Sequence, residues 1–327
     1  MTKNIAVIGG GAWGTALAAN LARAGHSPLL WARDHDVVET IRLDHMNRKF
    51  LDGILLPETI CPTTLKTDIA HSDVILVSIP TQAMRAVLTE FANVIGRGAM
   101  LVLCAKGIEA STGLRVSDIA RSVLPDNRLA VLSGPSFAHD VARGLPTAVT
   151  LAAASLEEAQ DLARIISSPT FRPYASDDMK GVELGGALKN VIALAVGMAR
   201  GRALGASAEA ALITRGFAEL TRIARHFGGK AESLTGLSGL GDLVLTCSSA
   251  QSRNFAYGMA VGAGQNLDGL KLAEGVYTCA IAHDLCARAA IEAPIITAVD
   301  GVLSKKLDME EAMAALLARP LKAEMAL

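Results

Sequence analysis

The feature that most constrains the fold is a glycine-rich segment, GGGAWG, placed between a strand pattern and a helix pattern. The apolar run IAVI directly precedes it, and the Ala- and Leu-rich stretch TALAANLARAG directly follows it. Gly9, Gly11 and Gly14 have the spacing GxGxxG, which makes a tight turn, lets the backbone approach a pyrophosphate and packs the helix on the strand. The segment predicts a dinucleotide-binding βαβ unit; a glycine turn without a ligand is the alternative.

The residues after the second strand pattern bear on which dinucleotide fits. An NAD site usually has Asp or Glu there to accept the ribose hydroxyls, but this chain reads WARD, with Arg33 before Asp34. Because an arginine can pair with a 2′-phosphate, NADPH/NADP is the preferred cofactor. In the alternative, Arg33 is solvated, Asp34 binds the ribose and the cofactor is NADH/NAD.

The order of strand and helix patterns predicts the fold. Apolar runs recur between helical patterns up to FRPYAS at residues 171–176, and this alternation is typical of a parallel sheet with crossover helices. Beyond that point the chain is Ala-rich with apolar residues at helical spacing. A chain of 327 residues also exceeds the usual size of one hydrophobic core. We predict an α/β Rossmann-type domain with a parallel sheet over residues 1–180 and an all-α domain over residues 181–327.

Composition argues against several classes of partner. Lys and Arg number 31 against 32 for Asp and Glu, so no overall positive charge attracts nucleic acid. Apolar runs such as VIALAVGMA are shorter than the roughly 20 residues that span a bilayer, and the N-terminus lacks the order of a signal peptide. The five cysteines form no CxxC pair and the histidines no HExxH motif, so no metal site is indicated. We expect a cytoplasmic protein without a transmembrane segment.

Two segments in the first half place polar groups where parallel strands end, which is where open α/β sheets bind ligands. Lys106 in CAKGIE follows an apolar strand and precedes a glycine, and its ammonium is a candidate ligand for an anion or a carbonyl. In SGPSFA, the turn at Gly134 and Ser136 offers backbone amides and a hydroxyl to substrate oxygens. An ordinary strand-end turn remains the alternative for each segment.

The helical half has two polar clusters. Lys189 interrupts the apolar helix ELGGALKNVIALAVGMARG, where burial would make it a usable proton donor; a lysine that reaches solvent is the alternative. The segment GLGDLVLTCSSAQSRN contains Asp242, a natural counter-ion for a buried lysine. It also contains Ser252, Arg253 and Asn254, whose donors suit a phosphate, unless this stretch is a solvated loop.

These motifs together resemble the bacterial NAD(P)-dependent glycerol-3-phosphate dehydrogenase family. The matching segments are GGGAWGTALA, SGPSFA, ELGGALKN, LITRG, GLGDLVLTCSSAQSRN and AEGVYT, in order over nearly the whole chain. The stretch from GLGDL to SRN is far more specific than GxGxxG. The resemblance implies a Rossmann domain, an all-helical substrate domain, and reversible reduction of dihydroxyacetone phosphate to sn-glycerol 3-phosphate for phospholipid synthesis.

The resemblance also assigns residues, with Lys189 as the catalytic lysine. The substrate contacts that it implies are Lys106, Gly134, Ser136, Lys189, Asp242, Ser252, Arg253 and Asn254. The cofactor contacts, including the glycines of the motif, are Gly9, Gly11, Ala12, Trp13, Gly14, Arg33, Lys106, Ala138, Arg253, Leu272 and Glu274. The chain departs from similar sequences in having Ala12 where serine is common, and a short segment between Arg253 and Glu274.

The mechanism that follows is hydride transfer to the C2 carbonyl of a small phosphorylated substrate. Lys189 would stabilise the developing oxyanion and supply the proton, Asp242 would orient the lysine, and Arg253 would hold the phosphate. Two rival functions are a related dehydrogenase acting on a hydroxy acid or sugar acid, and a regulator that binds NADP(H) without chemistry. The polar cluster of Lys189, Asp242 and Arg253 argues against the regulator, which has no need for a proton donor beside a phosphate site. An apolar surface on the helical half would support a homodimer, which the sequence does not decide.

Overall fold

The structure, a computed structural model, describes residues 3–270 and 273–320, and these divide into two compact units. Unit 1 contains the residues up to Lys106 together with Val116–Met179, and unit 2 contains Gly107–Arg115 together with the residues from Lys180 onward.

The compact units differ from the predicted domain over residues 1–180 at Gly107–Arg115, which packs with unit 2. Arg115 pairs with the carboxylate of Glu183 at 3.5 Å, and a Cβ atom at Gly113 would lie 3.7 Å from Leu285 Cδ2. These contacts attach the segment Gly107–Arg115 to the helices of unit 2. The main boundary between the two units lies between Met179 and Lys180, one residue before the predicted domain boundary.

Unit 1 is built on a sheet that has eight strands among the described residues. The strands are β1 (Ile5–Ile8), β2 (Leu29–Trp31), β3 (Cys61–Thr63), β4 (Val74–Val77), β5 (Met100–Leu103), β6 (Arg128–Ser133), β7 (Thr147–Ala152) and β8 (Phe171–Ser176). Their order is β3-β2-β1-β4-β5-β6-β7-β8. Strands β1, β4 and β5 are buried at every position, which explains why each is an unbroken apolar run and not an alternation. The predicted fold class is confirmed.

Two details of the sheet differ from the sequence prediction. Strand β3 was not predicted, because CPT is only three residues long and contains a proline, which is tolerated at a sheet edge. Strands β6 and β7 pair antiparallel, whereas we predicted a parallel sheet. A parallel pair needs a long crossover, usually a full α-helix, but the helix between these strands, Ala138–Ala142, has only five residues.

Helices connect the strands of unit 1. They are α1 (Ala12–Arg23), α2 (His35–Asp44), α3 (Thr81–Phe91), α4 (Val116–Val123), α5 (Ala138–Ala142) and α6 (Leu156–Ile166), with a 3-10 turn at Lys66–Ile69.

Unit 2 is helical throughout its described elements. They are α7 (Met179–Gly201), α8 (Ala206–His226), α9 (Ala231–Thr235), α10 (Asp242–Ser248), α11 (Arg253–Gly262), α12 (Glu274–Arg288), α13 (Pro294–Leu303) and α14 (Met309–Leu317), with a π-helical turn at Leu237–Gly241. Among the described residues, α7 is the one helix long and apolar enough to cross a membrane by length and composition. Its apolar window is completely buried within the protein, which is typical of a core helix.

Helices α7 and α11 cross in backbone contact. A Cβ atom at Gly197 would overlap the carbonyl oxygen of Phe255, and one at Gly258 would overlap that of Leu194. Glycines on both helices therefore allow an approach that any side chain would prevent. The crossing fixes where α11 begins relative to α7, which matters because both helices present polar residues of the candidate site.

Candidate active site

The glycine-rich turn after β1 forms a cradle in unit 1. Gly9 has φ +121°, and a Cβ atom there would overlap the carbonyl oxygen of Ser78. A Cβ atom at Gly14 would overlap the carbonyl oxygen of Gly9, so α1 packs against the turn itself. Beside Gly11, by contrast, no other part of the described chain lies within 4 Å of the position that a Cβ atom would take. This arrangement fits a dinucleotide whose pyrophosphate approaches the backbone at Gly11.

The N-terminus of α1 faces this open space with its backbone. Gly11 is the N-cap residue, and it has no side chain with which to cap the helix. The first amides and the positive end of the helix dipole are suited to an anion. Trp13 adds a donor, because its buried Nε1 has no hydrogen-bond partner within the described chain. Ala12 contributes only backbone, since it lacks the hydroxyl of the serine common in similar sequences.

Arg33 and Asp34, which follow β2, differ in exposure and in hydrogen bonding. Arg33 is exposed, whereas the Asp34 carboxylate caps α2 by accepting a hydrogen bond from Asp36 N at 3.0 Å. The Lys49 ammonium also lies 2.6 Å from Asp34 Oδ2, and this hydrogen bond lowers the pKa of Asp34. Asp34 therefore has two partners already. Arg33 is therefore a better candidate than Asp34 to contact the adenosine ribose of a bound dinucleotide.

Lys106 and SGPSFA come together at the carboxyl ends of β5 and β6. Lys106 Nζ donates to the carbonyl oxygen of Gly134 at 2.8 Å, and Ser136 Oγ donates to the same oxygen at 3.0 Å. Gly134 has φ +143°, and a Cβ atom there would lie 2.9 Å from the Cα of Val149, so glycine is required. Ala138 begins α5 just beyond. The two segments predicted to contact substrate thus share one hydrogen-bonded cluster.

In unit 2, Lys189 is buried in the middle of α7, with 6% of its surface exposed. Its Nζ donates to Asp242 Oδ1 at 2.8 Å and to Thr246 Oγ1 at 2.6 Å. Asp242 and Thr246 are themselves almost fully buried, at 1% and 3% exposed. The alternative in which Lys189 reaches solvent is therefore wrong. A buried ammonium held by a carboxylate and a hydroxyl can donate a proton to an oxygen that becomes negative.

Thr246 is a site residue that was not predicted from the sequence. It follows Asp242 by four residues on α10, so the two side chains share one face of the helix, and this spacing is the signal that could have identified it. Its Oγ1 also lies 3.3 Å from Asp242 Oδ1, which closes a triangle of three buried groups. Burial raises the pKa of the neighbouring Cys247 thiol to about 12, so that this cysteine stays protonated and does not compete as a nucleophile.

The start of α11 carries the predicted phosphate ligands. Ser252 is the N-cap, and its hydroxyl accepts a hydrogen bond from Phe255 N at 3.3 Å. Arg253, the first helical residue, is exposed. A helix N-terminus with an exposed arginine favours a bound phosphate, because backbone amides, the helix dipole and the guanidinium all attract the same anion.

Asn254 joins this helix to two others. Its Nδ2 donates to Asn190 Oδ1 at 2.9 Å, next to Lys189 on α7. Its Oδ1 accepts from Gly275 N at 2.9 Å, in the first turn of α12. Glu274, predicted to contact the cofactor, is the first residue of α12 and is partly buried. Leu272, also predicted as a cofactor contact, lies outside the described residues.

The doubly wound sheet and its glycine cradle, together with the buried pair of Lys189 and Asp242 and an exposed arginine at the start of α11, are features of a nicotinamide-dinucleotide dehydrogenase of the Rossmann-plus-helical class. Models of the NAD-dependent glycerol-3-phosphate dehydrogenase N-terminus and C-terminus match residues 4–159 and 178–314. The chain belongs to this family and is an NAD(P)-dependent glycerol-3-phosphate dehydrogenase.

Relatives resemble the chain over its whole length. Glycerol-3-phosphate dehydrogenase [NAD(P)+] of Brucella canis is 53% identical over 325 residues, covering 99% of this chain and 100% of the relative. The enzyme of the same name from Chelativorans sp. is 54% identical over 321 residues, covering 98% of each. The crystal structure of glycerol-3-phosphate dehydrogenase from Coxiella burnetii superposes with a TM-score of 0.91 at 39% identity, covering 97% of this chain and 99% of that one. The family predicted from the motifs is confirmed.

Proposed function

We propose that Lys189 is the proton donor in a reversible reduction of dihydroxyacetone phosphate to sn-glycerol 3-phosphate. The observation that carries this proposal is the burial of the Lys189 ammonium against Asp242 and Thr246. A lysine without a chemical role is rarely kept in such a place, because an ammonium is costly to bury.

When bound, the nicotinamide supplies the hydride that reduces the C2 carbonyl of the substrate. Lys189 stabilises the negative charge that develops on the C2 oxygen and then donates the proton. Asp242 keeps the lysine charged, and together with Thr246 it holds the ammonium in one orientation. Lys106, at the ends of β5 and β6, is the second cation that orients the substrate.

Arg253, Asn254 and Ser252 hold the substrate phosphate. Their contacts are remote from the reacting carbon. The binding energy that they supply therefore orients the C2 carbonyl without any direct part in the bond changes. Gly134 and Ser136 provide further substrate contacts through the turn after β6. A substrate without the phosphate would lose this orientation and with it much of the rate.

The cofactor is held by the cradle of unit 1. Among the cofactor-binding residues of this cradle, Gly11, Ala12 and Trp13 lie where the pyrophosphate approaches the start of α1, and Gly9 and Gly14 shape the turn that allows this approach. Arg33 pairs with a 2′-phosphate, so that NADPH is preferred to NADH. The further cofactor contacts proposed are Lys106, Ala138, Arg253, Leu272 and Glu274.

In the cell, we place the enzyme in the cytoplasm, where it supplies glycerol 3-phosphate for phospholipid synthesis. The nearly equal numbers of acidic and basic residues, 32 and 31, support a small-molecule substrate and no nucleic acid. Unit 2 exposes large apolar side chains, among them Leu204, Val244 and Tyr277, which is compatible with a homodimer.

The test is the initial rate of absorbance loss at the nicotinamide band, with dihydroxyacetone phosphate and either NADPH or NADH. We expect oxidation of both cofactors, with NADPH much the faster. Equal rates would keep the substrate and contradict the role of Arg33. A panel of 2-keto acids serves as the control: folded protein that oxidises neither cofactor with dihydroxyacetone phosphate but turns over a keto acid would overturn the proposal.

A further inference from the structure

Asn47 attaches the segment between α2 and β3 to the glycine-rich turn. The side chain is completely buried, although asparagine is usually exposed. Its Nδ2 donates to the carbonyl oxygen of Gly10 at 3.0 Å and to Thr15 Oγ1 at 2.8 Å, while its Oδ1 accepts from Phe50 N at 3.2 Å. Both hydrogens and the oxygen are thus used. The segment that follows Asn47 is held in a defined place beside the dinucleotide cradle.

Lys49 lies in this held segment, two residues after Asn47. Its ammonium is 2.6 Å from Asp34 Oδ2 and 5.7 Å from the centre of the Phe50 ring. Asp34 directly follows Arg33 at the end of β2, where NAD sites present a carboxylate to the ribose hydroxyls. Lys49 therefore pairs with the acid nearest to that position.

We propose that Lys49 is a specificity-determining residue that acts with Arg33 to select NADPH over NADH. By pairing with Asp34, Lys49 prevents that carboxylate from accepting the ribose hydroxyls of NADH, and from repelling a 2′-phosphate. Its positive charge also adds to that of Arg33. This inference rests on the proposed preference for NADPH, which it deepens.

The local charge around Arg33 depends on Lys49. Without Lys49, the Asp34 carboxylate would stand beside Arg33 with no ammonium against it, and would offset part of the attraction that Arg33 exerts on a phosphate. The same carboxylate would become available to the ribose diol. Exposed ion pairs contribute little to stability, so loss of Lys49 should change cofactor choice without unfolding unit 1.

The experiment measures kcat/KM for NADPH and for NADH, at saturating dihydroxyacetone phosphate, in the full-length chain. For Lys49→Ala we expect the NADPH-to-NADH ratio to fall about fivefold, mainly through a higher KM for NADPH, as for the loss of one exposed charge pair. Lys49→Arg should keep the wild-type ratio. The matched control is Arg164→Ala, which removes the cation of an exposed ion pair with Asp161 on α6 and should leave the ratio unchanged.

A second variant pair tests the part played by Asp34. Asp34→Asn combined with Lys49→Ala should restore much of the ratio lost in Lys49→Ala, because the unpaired carboxylate is gone. An equal ratio in the single and the double variant would overturn the role of Asp34.

Failure of this inference is distinguishable from failure of the proposed function. If Arg33→Ala abolishes the preference for NADPH but Lys49→Ala leaves the ratio within twofold of wild type, the inference about Lys49 is wrong and the proposed role of Arg33 stands. If the wild-type chain shows no preference for NADPH, the proposed preference itself is wrong, and the inference falls with it.

Discussion

The ammonium of Lys189 lies 2.8 Å from Asp242 Oδ1, and both side chains are almost completely buried in unit 2. A buried pair of this kind is weak as a source of stability, since removing two charges from water costs about as much as their attraction returns. It is, however, a good way to keep a lysine charged and oriented away from bulk water. The geometry is therefore better explained by chemistry than by folding.

Replacing Lys189 tests this directly. Lys189→Ala should lower kcat by about 10²- to 10⁴-fold, the usual contribution of a general acid, while the affinity for NADPH stays close to wild type. Stopped-flow or steady-state turnover and a fluorescence titration of NADPH measure the two effects. Lys180→Ala, which removes an exposed lysine near the start of the same helix, is the control. Loss of NADPH binding along with turnover would indicate a structural lysine.

We expect Thr246 to affect the rate of catalysis by orienting the ammonium of Lys189. Thr246→Val keeps the shape of the side chain but removes the oxygen that accepts from Nζ at 2.6 Å. A hydrogen bond to a charged group contributes about 1.5–3 kcal/mol, so kcat should fall by roughly ten- to a hundredfold. Thr246→Ser, which retains the hydroxyl, should recover most of the rate. A rate for Thr246→Val equal to that of wild type, across the pH–rate profile, would show that the hydroxyl does not orient the lysine.

The helix crossing of unit 2 should be sensitive to one methyl group. Gly258→Ala places a Cβ against the carbonyl oxygen of Leu194, so α11 must move away from α7. Overpacking of this kind costs about 1–3 kcal/mol in the free energy of unfolding, measured by urea denaturation. The KM for dihydroxyacetone phosphate should also rise, since Arg253 begins α11. Gly98→Ala, where the added Cβ would have no non-adjacent described residue within 4 Å, should be neutral in both measurements.

Glu219 should make stability depend on pH. It is 1% exposed and accepts hydrogen bonds from Ile295 N at 3.0 Å and Ile296 N at 2.9 Å, at the start of α13. Burial raises its pKa above the ordinary value of 4.5 in spite of these bonds. The folded chain then binds more protons than the unfolded one in the window above pH 4.5, so this contribution to stability is lost as pH rises.

Urea unfolding of wild type and Glu219→Gln at a series of pH values measures this effect. The unfolding free energy of wild type minus that of Glu219→Gln should fall as pH rises through the window, because only wild type carries the titrating carboxyl group. Glu157→Gln, which removes an exposed carboxylate in the first turn of α6, is the control and should run parallel to wild type. A difference independent of pH would show that the pKa of Glu219 is the same in the folded and unfolded states.

The sequence by itself determined the class of fold and the family. The spacing of Gly9, Gly11 and Gly14 after an apolar run reflects a local turn, in which Gly9 has φ +121° and a Cβ atom at Gly14 would overlap the carbonyl oxygen of Gly9. Strands buried on both faces, such as β4 and β5, can be recognised in the sequence because every one of their residues is apolar. The motif from GLGDL to SRN identified the family because its polar residues stand at fixed spacings along the chain.

The tertiary structure decided everything that depends on partners far apart in the chain. Lys189 and Asp242 are separated by 53 residues, and Asn47 and Gly10 by 37. The sequence could not choose between a solvated and a buried Lys189, because burial is set by how α7 packs among other helices. The transfer of Gly107–Arg115 to unit 2 was not predicted for the same reason, whereas the antiparallel pairing of β6 and β7 is explained by the short helix α5 between them. Local spacing fixes backbone conformation, but packing energies between distant segments select which surfaces meet.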